Sequence, residues 1–382
     1  MTQLPPITTN RKKEMHMRKI ALATIVVASS AALVLAGCSG RTDTGGDETE
    51  AGFAADSVIG VALPDKTSEN WVLAGDLFTN GLEDAGYEAD VQYAPASNTV
   101  AEQQNQITSM ITNGAKVIII GAKDGSQLSA QVEAAHEAGA VVIAYDRLIL
   151  NTEAVDYYLA FDNFKVGELQ GQALLDGLAE RKGDKDKWNI ELFAGSPDDN
   201  NAGVFFDGAM SVLQPKIDDG TLTVVSGQTS FEQVATQGWL AANSQARMDT
   251  LLAGNYADKD IDGVLAPNDN LARSILTSAA DAGKAEPVVT GQDSEVESVK
   301  SIVAGHQYMT IYKDTRALVA AAIAMVDELA AGDEISEIND TESYDNGVKV
   351  VPSYLLAPIV VTQENAAEVY AENPSLAPLT EG

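Results

Sequence analysis

The chain of 382 residues contains a single cysteine, Cys38, three histidines and only 6% aromatic residues. One cysteine cannot form a disulfide within the chain, and it leaves no further thiol for catalysis or for a cysteine-based metal site. Basic residues are also scarce: 24 lysines and arginines stand against 56 aspartates and glutamates, for a formal net charge of −32. Nucleic-acid binding needs basic patches, so this composition argues against a nucleic-acid partner.

Motifs for catalysis and nucleotide binding are missing as well. The sequence has no G-x-S-x-G elbow, no G-x-G-x-x-G and no G-x-x-x-x-G-K-[ST]. None of the histidines, His16, His136 and His306, accompanies a serine in a strand-turn-helix elbow. The neighbouring acids Asp198 and Asp199 could in principle hydrolyse a glycoside, but the chain shows no distinct acid and base pair. We therefore expect a binding protein without a cofactor or metal, and not an enzyme.

A long apolar run occurs only near the N-terminus. Basic residues precede the apolar segment 20–35, and small residues lead into Cys38. This order is typical of a bacterial lipoprotein leader, in which the cysteine carries lipid and becomes the first residue, so residues 1–37 are predicted to be a signal peptide. A plain signal peptide or an anchor helix is the alternative. Residues 38–56, rich in Gly, Thr, Asp and Glu, are predicted to form a flexible tether at the membrane.

From residue 57 onward, short apolar runs alternate with amphipathic segments. Runs such as 117–120 and 140–145 show no alternation with polar residues, which indicates strands buried on both faces of a parallel sheet. Helical patterns lie between them, for example at residues 71–85, where Gly86 follows the last position. The alternation restarts after residue 161. The pattern predicts an α/β protein with two doubly wound parallel sheets.

Polar side chains recur just after the predicted strands in both halves of the chain. In open α/β sheets a ligand lies beyond the carboxyl ends of the strands, so these positions form the candidate site. They are Lys66, Asn70, Asp124, Asp146, Arg147, Asp199, Asn201, Asn268, Asp269, Asp293 and Lys313. Carboxylates, amides and a guanidinium suit a neutral polyol, whose hydroxyls both donate and accept hydrogen bonds. Taken singly, each is better explained as a solvated loop residue, and only their repetition indicates a site.

Two of the three tryptophans, Trp71 and Trp239, stand near the starts of predicted helices. Each could stack on the apolar face of a sugar ring, and ordinary core packing is the alternative for either one. An Asp-Arg pair that simply ends a strand at the surface is likewise the alternative for Asp146 and Arg147.

Several short motifs follow one another along the chain. They are residues 144–149 (AYDRLI), 161–163 (FDN), 166–170 (VGELQ), 195–202 (GSPDDNNA), 291–293 (GQD), 310–313 (TIYK) and 350–356 (VVPSYLL). Together they resemble the sugar-binding proteins of bacterial ABC importers, which have the type I periplasmic-binding fold. Within that family the multiple-sugar-binding and xylose-binding proteins are the most similar. The resemblance extends from residue 57 to about residue 365.

The resemblance implies two lobes joined by a hinge of three crossings, near residues 161, 293 and 347. The N-terminal lobe would comprise residues 57–160 and 294–346, and the C-terminal lobe residues 161–293 and 347–382. Lys313 would then come from the N-terminal lobe.

The resemblance also implies which residues contact sugar. They are Trp71, Asp146, Arg147, Asn201, Trp239, Asn268, Asp293 and Lys313, with Asp124 and Asp199 as additional members. One position departs from the pattern. The xylose-binding and multiple-sugar-binding proteins resemble each other in having arginine before the first tryptophan, and here that residue is Asn70. The loss of a guanidinium there is expected to change which hydroxyl pattern is preferred.

The implied function is that of an extracytoplasmic, lipid-anchored and monomeric substrate-binding protein. It would bind a monosaccharide, an aldopyranose such as xylose, glucose, galactose or arabinose, and deliver it to an ABC permease with its ATPase subunits. A sugar sensor that presents its closed form to a membrane chemoreceptor or sensor kinase is the alternative.

Overall fold

The computed structural model describes residues 52–66, 68–95, 100–183 and 185–381. The predicted signal peptide, Cys38 and most of the predicted tether lie outside these residues. Within the described part of the chain, no helix is both long enough and apolar enough to cross a membrane.

Strands and helices alternate along most of the described chain. The strands are β1 (Val58–Leu63), β2 (Glu88–Tyr93), β3 (Val117–Ile120), β4 (Val141–Tyr145), β5 (Tyr157–Phe161), β6 (Trp188–Leu192), β7 (Leu222–Val224), β8 (Gly263–Leu265), β9 (Val288–Val289), β10 (Met309–Tyr312), β11 (Ser353–Leu356) and β12 (Ile359–Thr362). The helices are α1 (Glu69–Asp84), α2 (Val100–Thr112), α3 (Ser129–Glu137), α4 (Asn163–Lys182), α5 (Asn200–Asp218), α6 (Phe231–Val234), α7 (Ala241–Gly254), α8 (Asp269–Asp281), α9 (Val296–Val303), α10 (Thr315–Ala331) and α11 (Ala366–Val369).

The first sheet has the strand order β11–β5–β4–β3–β1–β2, and all its neighbouring pairs are parallel. Val117 and Ile119 of β3 pack in one core cluster with residues of α1 and α10. Ile118 and Ile120 pack in the cluster on the other face, with residues of α2 and α3. Because helices cover both faces, β3 has no polar side, which explains its uninterrupted apolar sequence.

The second sheet has the order β7–β6–β8–β9, again with parallel pairs. β10 continues this sheet, since the amide of Tyr308 donates to the carbonyl of Val289 at 3.2 Å and that of Ile311 to Gly291 at 3.0 Å. β12 pairs with β10 in the antiparallel direction. The predicted α/β fold with two parallel sheets is confirmed, and β12 is an antiparallel addition to it.

Two of the three predicted crossings are misplaced. Residues 294–313 were assigned to the N-terminal lobe, but β10 extends the second sheet and α9 packs against residues next to it. Residues 347–356 were assigned to the C-terminal lobe, but β11 pairs with β5 in the first sheet. The chain passes between the sheets after Phe161, after Lys313 and after Leu356. We call the part built on the first sheet the N-lobe and the part built on the second sheet the C-lobe.

Candidate functional site

A cleft of about 410 Å³ lies between the two lobes. The ends of β1, β4 and β5 line it from the N-lobe, and the starts of α5 and α8 line it from the C-lobe, together with the segment around residue 293. Most of the predicted site residues meet here. They are Asn70, Trp71, Asp146, Arg147, Asp199, Asn201, Trp239, Asn268, Asp293 and Lys313.

The turn after β4 places Asp146 and Arg147 in the cleft. Asp146 has a positive φ of 62°, and the amide of Arg147 donates to the carbonyl of Tyr145 at 2.7 Å. This is a three-residue turn of the strained kind, which a residue other than glycine rarely adopts. Asp293 and Trp239, which also line the cleft, have positive φ values of 96° and 54°. Strained backbone is therefore concentrated at the cleft, as is common at ligand sites.

Arg147 is held between an acid and an indole. Its Nε lies 3.1 Å from Oδ2 of Asp199, within ion-pair distance but not aligned for a hydrogen bond. Its Nη1 donates to the carbonyl of Ala122 at 3.2 Å, and the guanidinium lies 5.6 Å from the ring centre of Trp71. Burial lowers the pKa of Arg147, but Asp199 and Asp146 more than offset this and hold it above its usual range. Arg147 is therefore a fixed cation with donors left for a ligand.

Lys313 and Asp293 form the second charged pair of the cleft, with Nζ 3.0 Å from Oδ1. Burial alone would lower the pKa of Lys313. The carboxylates of Asp293 and Asp146 raise this pKa by more than burial lowers it, so the net shift is upward. The assignment of Lys313 to the N-terminal lobe was wrong, because it directly follows β10 of the C-lobe. It lies at the crossing itself, where its side chain reaches the cleft.

Burial raises the pKa of Asp146 above its usual range. Lys313 and Arg147 offset part of this shift, while Asp199 and Asp293 add to it. Asp146 therefore keeps its proton to a higher pH than an isolated aspartate would.

Both predicted tryptophans line the cleft and also pack against a core cluster. Trp71 lies against Gly121, where a β-carbon would come within 2.9 Å of the indole. Trp239 covers Gly195, where a β-carbon would come within 2.1 Å, and its Nε1 donates to Asp199 at 3.2 Å. The two readings of these residues, core packing and ligand stacking, are thus compatible at the edge of each core.

Hydrogen bonds join the lobes across the cleft. Asn70 of the N-lobe donates through Nδ2 to the carbonyl of Asp293 at 3.1 Å. Asn201 of the C-lobe donates through Nδ2 to the carbonyl of Asp146 at 2.7 Å. The side-chain amide of Asn70 therefore contacts the opposite lobe.

Two predicted residues lie away from the cleft lining. Lys66 points its Nζ over the ring of Tyr93, 4.4 Å from the centre. Asp124 caps the short helix Gly125–Gln127 by accepting from the amide and the hydroxyl of Ser126, at 2.9 and 2.6 Å. Each follows a strand, but local contacts turn the side chain elsewhere.

Asp269 is the third exception, and it is completely buried beneath the cleft lining. It accepts hydrogen bonds from the amide of Glu295 at 3.0 Å, from Nε2 of Gln307 at 2.8 Å and from the hydroxyl of Thr310 at 3.0 Å. Burial, followed by the charges of Glu295 and Asp293, raises its pKa well above the usual range. Its position indicates a structural role.

The cleft also contains residues that were not predicted. Asp65 and Lys123 form an ion pair of 3.0 Å on the N-lobe side, and Tyr145, Phe205 and Gln292 are further members of the lining. Lys123 and Gln292 follow strands and carried the same sequence signal as the predicted residues. The two aromatic residues carried none, because Tyr145 ends an apolar strand and Phe205 lies on the buried face of α5, where either is indistinguishable from core.

A family model described as a periplasmic binding protein domain matches residues 59–334. The chain is 50% identical over 326 residues to the multiple sugar-binding periplasmic receptor ChvE of Rhizobium radiobacter, and the alignment covers 84% of this chain and 91% of that receptor. It is 37% identical over 316 residues to the D-xylose-binding periplasmic protein of Escherichia coli strain K12, with coverage of 82% and 89%.

A solved structure shows the same similarity in three dimensions. An ABC transporter solute-binding protein from Clostridium phytofermentans, with bound β-D-glucose, matches with a TM-score of 0.80 and 42% identity. The match covers 85% of this chain and 100% of that chain. The similarity therefore includes both lobes and the cleft between them.

Proposed function

The chain belongs to the sugar-binding group of the type I periplasmic binding proteins, and on that premise we propose that it binds one monosaccharide between its lobes and delivers it to an ABC permease with its ATPase subunits. The family is one of binding proteins, and the chain is not an enzyme. An aldopyranose is the proposed ligand, since relatives are described as binding xylose, glucose or several sugars.

The observation that carries this proposal is the pairing of carboxylates with cations in the cleft. Asp199 is paired with Arg147 at 3.1 Å and Asp293 with Lys313 at 3.0 Å, and a third acid, Asp146, lies near both cations. Carboxylates that are already compensated by cations do not require a charged ligand. They do present acceptors next to donors, the arrangement that vicinal hydroxyls satisfy.

The tryptophans support the same ligand class. Trp71 of the N-lobe and Trp239 of the C-lobe line the cleft, together with polar groups from both lobes. An indole offers an apolar face to the C–H side of a sugar ring while the ring's hydroxyls are bound by polar groups. We take the lobes to be residues 52–161 with 314–356, and 162–313 with 357–381.

Substitution of Arg147 by alanine tests the site. A thermal-shift screen of common pentoses and hexoses first identifies the sugar, and calorimetry then compares the variant with the parent protein. Arg147→Ala should lose about 2–4 kcal/mol of binding free energy, roughly 30- to 1000-fold in affinity. The reason is that the acceptors served by the guanidinium, on the ligand and in the cleft, are left unpaired. Arg181→Ala, whose guanidinium contacts Gly305 in the C-lobe away from the cleft, is the matched control and should bind normally. Equal affinity in both variants would place the ligand elsewhere.

Lipid attachment at Cys38 and an extracytoplasmic location are part of the proposal. They are supported by the basic, apolar and small-residue order that ends at Cys38 and by relatives described as periplasmic. Cys38→Ser should leave the leader uncleaved or move the protein from the membrane to the soluble fraction. Lipid attachment would be ruled out if the variant showed the same membrane fractionation and the same mass of the mature N-terminus as the parent protein.

A further inference from the structure

The carbonyl of Asp146 is the point where the two lobes meet behind the cleft. It belongs to the strained turn with a φ of 62°. Strained turns of this kind persist where surrounding groups hold them. The structure provides two such groups, and they come from different lobes.

Tyr158 of β5 donates through its hydroxyl to the carbonyl of Asp146 at 2.7 Å, and Asn201 of α5 donates through Nδ2 to the same oxygen at 2.7 Å. The Tyr158 hydroxyl also lies 3.2 Å from Oδ1 of Asn201. It accepts from Nδ2 of Asn163, the first residue of α4 and the second residue past the crossing at Phe161. The Tyr158 hydroxyl thus contacts the turn at Asp146, the opposite lobe and the start of α4, which follows the crossing at Phe161.

Tyr158 contributes to the site without belonging to its surface. The residue is fully buried and does not line the cleft. Burial raises the pKa of its phenol well above the usual range, so the hydroxyl keeps its proton and remains a donor. Its ring packs against Tyr344 at 5.0 Å, and the Tyr344 hydroxyl accepts from the amide of Asn163.

We propose that Tyr158 is a positioning residue for the sugar site, which holds the turn at Asp146 in shape and couples it to closure of the lobes. In the closed arrangement Tyr158 and Asn201 share the Asp146 carbonyl. When the lobes separate, Asn201 leaves with the C-lobe and only the tyrosine supports the turn. The inference rests on the proposed sugar binding for its effect on affinity, but the support of the turn is independent of any ligand.

Tyr158→Phe removes the hydroxyl and leaves the cleft lining untouched. We expect the dissociation rate of the sugar to rise about tenfold while the association rate stays within about twofold, because the contact between the Tyr158 hydroxyl and Oδ1 of Asn201 joins the lobes only in the closed form. Stopped-flow measurement of tryptophan fluorescence reads both rates. Tyr256→Phe is the matched control, since Tyr256 is also fully buried and its hydroxyl contacts Glu191 inside the C-lobe. It should lower thermal stability to a similar degree and leave both rates unchanged.

Hydrogen exchange without ligand gives the second measurement. The amides of Asp146 and Arg147, which donate to Leu159 and Tyr145, should exchange faster in Tyr158→Phe than in the parent protein or in Tyr256→Phe. Equal exchange, or equal sugar dissociation in the two variants, would overturn the positioning role. If the parent protein binds no monosaccharide at all, the proposed function fails, and the exchange comparison still decides the role of Tyr158.

Discussion

Asp146 and Asp269 both follow strands of parallel sheets, one in each lobe, yet only Asp146 reaches the cleft. Asp146 follows β4 directly and its turn exposes the side chain to the space between the lobes. Asp269 is the first residue of α8, and its carboxylate points inward to Gln307 and Thr310 while Asn268, the preceding cap residue, lines the cleft. A strand end brings a residue to the correct edge, and the local backbone then decides where the side chain goes.

Alanine at position 269 should have the largest effect on folding. Asp269→Ala removes the acceptor of three buried donors, of which only Nε2 of Gln307 keeps another, the carbonyl of Met309, and we expect the free energy of unfolding to fall by about 3–5 kcal/mol. Urea denaturation measures this. Asp146→Ala should change stability by less than about 1 kcal/mol while it abolishes most of the sugar affinity. Similar denaturation midpoints for the two variants would remove the distinction between the two acids.

Lowering the pH tests the role of the Asp146 carboxylate in sugar binding. Because burial raises its pKa, sugar affinity should begin to fall at a higher pH than an ordinary aspartate would allow, by at most about tenfold per pH unit for one proton. Asp146→Asn should bind more weakly, with a flatter pH profile. Calorimetry across the acidic range provides the measurement, and an unchanged slope in Asp146→Asn would assign the proton to another group.

In the absence of ligand, the contribution of Asp146 to the stability of the fold should rise as the pH is lowered, whereas the sugar affinity falls. A folded-state pKa above the unfolded one means that the folded protein binds the proton more tightly. The contribution of Asp146 to the free energy of unfolding should therefore increase as the pH falls through the folded pKa, and be complete below the unfolded one.

The smallest effect is expected at Asp124, which the sequence placed in the site and the structure places in a cap. Asp124→Ala should cost about 0.5–2 kcal/mol of stability, the usual range for loss of a capping side chain. Sugar affinity should stay within the error of the measurement. A loss of affinity comparable to that of Arg147→Ala would return Asp124 to the site.

The sequence predicted the two α/β lobes because the buried strands are uninterrupted apolar runs with helical periodicity between them. The short C-terminal strands were harder to assign, since an apolar tetrapeptide such as Ile359–Thr362 does not reveal which sheet it joins. For this reason the crossings at Lys313 and Leu356 were predicted in the wrong places. Strand pairing depends on contacts distant in sequence, which periodicity does not report.

Strand-end position identified most of the residues that line the cleft. It could not separate Asp146 from Asp269, because the positive φ of Asp146 has no signature in a residue other than glycine. It also could not identify Tyr158, whose apolar strand context is that of an ordinary core residue and whose contacts depend on Asn163 and Asn201.

The pairing of β11 with β5 and of β12 with β10 constrains the order in which the protein can fold. Residues 353–362 supply an edge strand to each sheet. Neither lobe can therefore be completed before this part of the chain has been synthesised. β11 must find a partner almost 200 residues earlier in the chain, a contact of high sequence separation that slows folding. During synthesis the two lobes should therefore acquire their final structure together and late, once the C-terminal strands have emerged.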